Sequence, residues 1–185
     1  MSGSLASPAS MRAEDVVRLY VDMEARGVHL WIMGGWGVDA LLGRQTREHD
    51  DLDVLVDVRR LERLRERLCA LGFAFRYVWD DETWWVHNTS WSQAEALPTA
   101  FVYGSRDGRE VDIHVVRHQG KGRVTTLWNS PYQLTAAGLR GRGSIAGHPV
   151  RCLTAAMQRV AHTGYDLPPH HAADLTQLVE AAALD

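Results

Sequence analysis

Two aspartates, Asp51 and Asp53, stand one residue apart at the start of an apolar segment that predicts a β-strand. Because a strand turns successive side chains to opposite faces, both carboxylates would point to the same face. Two carboxylates held side by side repel each other unless a cation joins them, and a divalent metal ion commonly fills that role. The spacing therefore indicates a metal site at the edge of a sheet.

A glycine pair, Gly34 and Gly35, lies upstream between an apolar strand and a short helix. The first amides of a helix have no partner inside it and attract anions, and glycine leaves room for a phosphate group. Metal-binding carboxylates beside a phosphate-binding turn favour nucleotide chemistry.

A third acid, Asp112, stands among β-branched residues in the segment GREVDIHVV. If its strand lies beside the first, neighbouring side chains on one face come within about 5 Å of each other. Three carboxylates at that distance could hold two Mg²⁺ ions, the arrangement that stabilises both oxygens in a nucleotidyl transfer. Asp112 would hold the metal that activates an acceptor hydroxyl or take its proton directly, and the sequence leaves both roles open.

Four further side chains stand near these acids. Arg44 and Arg47 fit triphosphate binding through charge-assisted hydrogen bonds, or a solvated loop. His49 fits a contact to phosphate, an orienting bond to an aspartate, or a buried structural position. His114 shares the face of the third acid and fits an acceptor pocket or an ordinary polar rim.

Tryptophans are concentrated between residues 79 and 91, next to the acidic run 80–82. Because Trp84 and Trp85 are adjacent, on a strand they would face opposite ways, so one of them is a candidate wall for the acceptor site. An aromatic face beside acidic groups suits an amine-bearing sugar. Ordinary core packing or an acidic loop explains the same residues equally well.

Hydrophobic periodicity predicts a mixed α/β core followed by a largely helical tail. Helices are predicted over residues 11–26, 36–42, 61–71 and 154–162, with a last one opening at Pro168 and Pro169, and strands over 29–33, 51–58, 73–78, 99–103 and 110–116, with a hairpin near Gly147. Residues 79–97 are expected to be irregular. The predicted division is a disordered tail (1–10), a core (11–118) and a mostly helical C-terminal extension (119–185).

Composition limits the class of partner. The 185 residues carry 20 basic and 23 acidic side chains, a net charge of −3, so nucleic acid is not an expected partner. No apolar run approaches the roughly 20 residues that cross a bilayer, so no membrane partner is expected either. The start MSGSLASPAS does not resemble a signal peptide, and two cysteines argue against a disulfide framework, so we expect a cytoplasmic protein.

The segment GGWGVDALLGRQTREHDDLDV resembles the signature of the antibiotic nucleotidyltransferases, specifically the lincosamide and aminoglycoside enzymes of the DNA polymerase β-like superfamily. The shared positions are Gly34–Trp36, Asp39, Gly43–Arg44, His49–Asp53 and, further on, Asp112. The C-terminal HTGYDLPPHHAADL also resembles the tail of the lincosamide enzymes. The wider superfamily has Gly-Ser where this chain has Gly34 and Gly35, which removes a phosphate-binding hydroxyl.

The resemblance implies a polymerase β-like α/β fold, an α+β mixed sheet with a small C-terminal helical appendage. It implies an adenylyltransferase that uses ATP and two Mg²⁺ ions, moves AMP to a hydroxyl of a lincosamide or, next, an aminoglycoside, and releases pyrophosphate. It further implies a homodimer and a use in antibiotic resistance. Two other functions remain open: the nucleotidyltransferase of a toxin–antitoxin pair that modifies a protein, and a nucleotide-binding module without turnover.

Overall fold

The computed structural model describes residues 10–79, 85–87, 96–162 and 169–182. The α-helices are α1 (Ala13–Glu24), α2 (Gly34–Leu42), α3 (Leu61–Ala70), α4 (Ala155–Ala161) and α5 (Pro169–Ala182). The strands are β1 (Leu30–Ile32), β2 (Asp51–Asp57), β3 (Ala74–Val78), β4 (Trp85–His87), β5 (Ala96–Pro98), β6 (Ala100–Gly104), β7 (Glu110–His118), β8 (Val124–Thr126), β9 (Gly141–Ile145) and β10 (His148–Cys152). Within the described ranges, no helix is both long and apolar enough to cross a bilayer.

One mixed sheet organises the molecule. Its strand order is β3-β6-β7-β2-β1-β10-β9, and β8 pairs with β7. The pairs β2–β7 and β1–β10 are parallel, and the other pairs are antiparallel. The prediction of a mixed α/β sheet is confirmed. A separate two-stranded ribbon, β4–β5, lies within the segment that was expected to be irregular.

The C-terminal extension takes part in this sheet. Strands β9 and β10 come from residues beyond 118, and β10 pairs with β1 in the middle of the chain's N-terminal half. The segment therefore contributes three strands as well as α4 and α5. The proposed tail falls, apart from residue 10, outside the described residues.

The two faces of β2 explain how the sheet is covered and where the carboxylates stand. Leu52, Val54 and Val56 are buried on the face that packs against α1 and α3. Leu55 is buried on the other face, in a second cluster with Trp128. Because side chains alternate along the strand, Asp51 and Asp53 share the face of Leu55 and stand at its open end.

Helix α2 begins two residues earlier than its periodicity indicated. Gly34 and Gly35 form its first turn, and Met33 precedes it in an extended conformation. The helix ends at Gly43, whose φ of 67° lies in the left-handed region that glycine adopts without strain, which confirms the predicted stop. Both glycines of the pair therefore belong to the helix N-terminus that points toward the sheet edge.

Candidate active site

The parallel pairing of β2 with β7 brings the three predicted aspartates together at one end of the sheet. Asp53 pairs in register with Asp112, and Asp51 pairs with Glu110. Register partners on neighbouring strands point to the same face, about 5 Å apart. Four acidic side chains therefore share one face of two adjacent strands.

The pKa values of these acids show how unfavourable that crowding is without a cation. Burial and the Asp51 and Asp112 carboxylates raise the pKa of Asp53 well above its ordinary value. Desolvation, then Asp112 and Asp50, raises the pKa of Asp51. Burial also raises the pKa of Asp112. A positive charge bound among these carboxylates would relieve both the repulsion and the cost of burial.

Gly34 allows the helix to approach the carboxylates. A methyl group on its Cα would lie 1.9 Å from Asp53 Oδ2, and its φ is 59°. Close contact and backbone conformation both exclude a side chain there. The Met33 amide donates a hydrogen bond to the Asp53 carbonyl at 3.0 Å, which fixes the turn against β2. The free amides of the helix N-terminus therefore lie beside the carboxylates.

Arg47 and His49 pack against the backbone of the second glycine, Gly35. A methyl group on Gly35 would lie 2.5 Å from both Arg47 Nη2 and His49 Nδ1. The positive charge of Arg47 opposes the rise in the pKa of Asp53 and of Asp51. The structure thus brings Arg47 to the glycine turn and the carboxylates.

His49 is a buried side chain. Its ring packs on Trp36 with 4.6 Å between ring centroids, and its Nε2 lies 2.6 Å from Asp39 Oδ2. The other oxygen of Asp39 accepts hydrogen bonds from the amide and hydroxyl of Thr46. Asp39 therefore has a structural role, since it joins α2 to Thr46 and His49. The His49 ring lies against the glycine turn at Gly35.

The two arginines both contact helix α5. Arg47 donates to Asp174 from Nε and Nη2, the latter at 3.0 Å, and its Nη1 donates to the Glu48 carbonyl. Arg44 is exposed, and its Nη2 donates to Gln177 Oε1 at 3.2 Å. The structure brings Arg47, rather than Arg44, next to the glycine turn.

Asp112 has two neighbours with a nitrogen aimed at it. The indole N–H of Trp79 donates to both carboxylate oxygens at 3.1 Å. His114 Nδ1 lies 3.5 Å from Asp112 Oδ1, is buried, and has no hydrogen-bond partner among the described residues. The His114 ring stands edge-on to Trp128. His114 therefore shares the site face, as its spacing predicted.

The donor set suits a hard cation, although the arrangement is not a ready-made cage. Carboxylate oxygens are the ligands that Mg²⁺ prefers. In the described part of the chain, no three histidine, cysteine, aspartate or glutamate side chains are arranged closely enough to hold a metal ion. The Trp79 indole N–H engages both oxygens of the Asp112 carboxylate. The three aspartates fit Mg²⁺ in chemistry and in strand register.

Sequence reasoning missed three residues of this region. Glu110 repeats the two-residue spacing of the first acids, so it could have been found from the pattern Glu-x-Asp. Trp79 was noticed only as one of several tryptophans. Asp174 had no signal beyond its position in the tail that resembles the lincosamide enzymes. Trp84 and the side chain of Trp85, both predicted to bind substrate, lie outside the described residues.

Comparison with known proteins assigns the family. The model of the aminoglycoside-2''-adenylyltransferase family matches residues 15–178. A lincosamide resistance protein of Staphylococcus haemolyticus is 24% identical over 147 residues, which are 76% of this chain and 77% of that protein. A 2''-aminoglycoside nucleotidyltransferase of Klebsiella pneumoniae is 45% identical over 49 residues, 26% of this chain and 28% of that protein.

A solved structure shares the fold. The lincosamide antibiotic adenylyltransferase LnuA, crystallised with lincomycin, superposes with a TM-score of 0.69 at 20% identity, covering 92% of this chain and 98% of that one. The predicted resemblance and the predicted fold are both confirmed. Since the family model spans nearly all of the described chain, including β2, β7 and α5, this protein is a nucleotidyltransferase of the aminoglycoside-2''-adenylyltransferase family.

Proposed function

We propose that this protein moves AMP from MgATP to a hydroxyl group of a small-molecule antibiotic and releases pyrophosphate. The observation that supports this most is the register of Asp53 with Asp112, directly beside the Gly34 turn. This arrangement places metal-binding carboxylates, backbone amides for a triphosphate and an acid for an acceptor hydroxyl on one face of the sheet. A lincosamide is the leading acceptor and an aminoglycoside the next.

The chain's own residues have separate parts in this reaction. Asp51, Asp53 and Asp112 would hold Mg²⁺, two ions in our proposal, and bound Mg²⁺ would neutralise the charge that develops on the phosphates. The α2 amides at Gly34 and Gly35, with Arg47, bind and orient the triphosphate. Arg44 and His49 are assigned to nucleotide binding with them, His49 through its contact with Gly35.

The transfer step forms one bond and breaks one. The acceptor oxygen bonds to the α-phosphorus, while the bond from that phosphorus to the oxygen bridging to the β-phosphorus breaks. The electron pair leaves with pyrophosphate, and the acceptor proton passes to Asp112 or, if Asp112 serves only as a metal ligand, to water. In-line geometry requires the acceptor oxygen to approach the α-phosphorus from the side opposite the leaving pyrophosphate, and we assign that side to Asp112.

The acceptor side of the site is aromatic as well as acidic. Trp79 and Tyr77 are both about two-fifths exposed, and their rings meet edge to face with 5.7 Å between centroids. Burial, and then the negative charges of Glu110, Asp112 and Asp51, raise the pKa of the Tyr77 hydroxyl. Tyr77 pairs with Val102, which pairs with Asp112, so its side chain lies on the face of the carboxylates. We assign Tyr77, Trp79 and His114 to the acceptor wall, which suits an amine-bearing sugar, and keep Trp84 and Trp85 as predicted members of it.

The relatives support both acceptor classes. The match to the lincosamide resistance protein spans most of both chains, whereas the stronger identity to the aminoglycoside enzyme covers only 49 residues. The aminoglycoside family model itself spans residues 15–178, so both classes stay candidate acceptors, and we place lincosamides first only because the match to a single lincosamide relative is the longer one.

Mass spectrometry of an assay with MgATP and either lincomycin or tobramycin tests this function. We expect one antibiotic to gain the mass of one AMP, and we expect no product from Asp53→Asn. A product that forms equally well with Asp53→Asn, or wild-type protein that modifies neither antibiotic class, would contradict the proposal.

We also propose that the protein is a homodimer. The edge strand β3 exposes Tyr77 on the acceptor side of the site and Phe75 beside Phe101 and Tyr103 on the other face of the sheet. Exposed aromatic side chains at a sheet edge are typical of surfaces that another chain covers. Light scattering at assay concentration should give twice the mass of one chain. A monomer that retains full turnover would contradict this assignment.

A further inference from the structure

Helix α5 carries a buried carboxylate whose partner lies in the nucleotide-binding loop. Asp174 is 1% exposed, and it accepts hydrogen bonds from Arg47 Nη2 at 3.0 Å and from Arg47 Nε at 3.3 Å. These two residues are 127 positions apart in the chain. Since a buried carboxylate is costly unless it is paired, this ion pair strongly favours one placement of the Arg47 guanidinium.

The same guanidinium keeps donors for another ligand. A guanidinium has five N–H bonds, and the contacts to Asp174 and to the Glu48 carbonyl use one each on Nε, Nη2 and Nη1. Two N–H bonds remain, one on each terminal nitrogen. The Arg47 side chain is 29% exposed and Nη2 packs on the Gly35 backbone, so the free N–H bond of Nη2 lies at the helix N-terminus.

We propose that Asp174 is a positioning residue for nucleotide binding, and that helix α5 is therefore part of the nucleotide site. By holding the Nε–Nη2 edge of Arg47, Asp174 presents the remaining N–H bonds to a phosphate oxygen of a nucleoside triphosphate. The side chain is thereby ordered before the ligand arrives, which lowers the entropy lost on binding. This inference rests on the proposed function, which brings a triphosphate to the glycine turn.

Two other roles for the same ion pair make different predictions. If Asp174 only anchored α5, its loss would lower stability without changing the affinity of Arg47 for phosphate. If Asp174 instead competed with the triphosphate for Arg47, its loss would tighten nucleotide binding. The affinity for MgATP therefore separates the three roles.

Isothermal titration of the full chain with MgATP provides the test. We expect Asp174→Asn, which keeps the shape of the side chain and removes its charge, to weaken MgATP binding about tenfold. Arg47→Gln should weaken it at least as much. In the Arg47→Gln background, Asp174→Asn should have no further effect, because the residue acts through Arg47.

Thr176→Ala is the matched control on the same helix. The Thr176 hydroxyl is exposed and donates to the Ala172 carbonyl one turn earlier, so its loss should leave MgATP binding within about twofold of wild type. If Asp174→Asn does not fold, as judged by circular dichroism, Asp174→Glu replaces it and should weaken binding severalfold by shifting the carboxylate.

Three results would overturn the inference. They are unchanged binding by the folded Asp174 variant, tighter binding by it, or an equal loss from Asp174→Asn with and without Arg47. A wild-type chain that binds none of MgATP, MgGTP, MgCTP and MgUTP would overturn the proposed function itself and this inference with it. Wild-type binding with an unaffected Asp174 variant would overturn the inference alone.

Discussion

Asp112 is held by an aromatic neighbour on the edge strand side of the site. The Trp79 indole donates to both of its oxygens, and no charged donor in the described residues lies as close. The hydrogen bond from the indole favours the ionised carboxylate, and so opposes the rise in the pKa of Asp112 that burial causes. The side chain that orients an acid can therefore affect the transfer step without contacting the nucleotide.

Trp79→Phe removes this hydrogen bond and keeps an aromatic ring. We expect kcat for AMP transfer to fall about tenfold, equivalent to about 1.4 kcal/mol, with the Kd for MgATP unchanged. Stability should change little because Trp79 is 43% exposed. Steady-state kinetics with ATP as the varied substrate checks this, with Tyr77→Phe as the control that leaves the bond to Asp112 in place. A kcat equal to that of the control would contradict the assignment.

Gly34 and Gly27 allow a matched comparison, because both have positive φ but only one meets a neighbour. Their φ values are 59° and 68°, and a methyl group on Gly27 has nothing within 4 Å. Gly27→Ala should cost about 1 kcal/mol of unfolding free energy and leave turnover intact. Gly34→Ala displaces Asp53 as well, so it should lower turnover by about a hundredfold. Urea unfolding measures the loss of stability, and the transfer assay measures turnover. Equal turnover in the two variants would contradict the close approach of Gly34 to Asp53.

The acids at the two ends of strand β2 have different roles. Its first residues carry the acids of the site, whereas Asp57 at its last position is a structural acceptor. The Asp57 carboxylate accepts hydrogen bonds from the Arg59 amide and side chain and from the His118 amide, and its Oδ2 lies 2.7 Å from His118 Nδ1. Burial by itself would raise the pKa of Asp57. The hydrogen bonds outweigh it and hold the pKa below its ordinary value.

The low pKa of Asp57 predicts a pH dependence of stability. Because the pKa of Asp57 is lower in the folded state, its carboxylate contributes fully to the free energy of unfolding above the unfolded pKa of about 3.9. That contribution is lost as pH falls toward the folded pKa. Asp57→Asn should lose about 2 kcal/mol at pH 7 and less at acid pH. Denaturant unfolding between pH 7 and pH 3 measures this. Asp107→Asn, at a more exposed carboxylate, should cost less; equal losses would count against the Asp57 contacts.

The elements that sequence reasoning located best are those whose signals are local. The alternation of β2 identified the face shared by Asp51 and Asp53, and Gly43 marked the end of α2. Contacts between distant segments were missed, because no periodicity links Arg47 to Asp174 or Trp79 to Asp112. Strand β8 was missed because its three residues, a valine and two threonines, form no apolar run, whereas the equally short β1 stood out as an apolar segment.

The core (11–118) and the C-terminal extension (119–185) form one sheet. Strand β10 pairs with β1, and Val150, Cys152 and Ile145 are buried in the main core. Helix α5 adds the contact between Asp174 and Arg47. A nucleotidyltransferase core ending near residue 118 would therefore lose a strand neighbour, part of its core and the partner of a site arginine.

This continuity predicts one cooperative unfolding transition for the full chain. A chain truncated after His118 should not fold, because β1 loses its parallel partner and the core loses the β9–β10 side chains. Thermal scans by circular dichroism compare the two chains. A truncated chain with its own cooperative transition would show that residues 119–185 are a separable appendage.

We propose that the site formed by Asp51, Asp53 and Asp112 transfers a nucleotidyl group to an antibiotic. The most direct measurement follows ATP labelled at the α-phosphorus and, separately, at the γ-phosphorus, in the presence of Mg²⁺ and lincomycin or tobramycin. We predict that the α-label appears on the antibiotic and the γ-label in pyrophosphate, and that Asp53→Asn abolishes both. Transfer of the γ-label to the antibiotic, or α-label transfer that survives in Asp53→Asn, would contradict nucleotidyl transfer by this site.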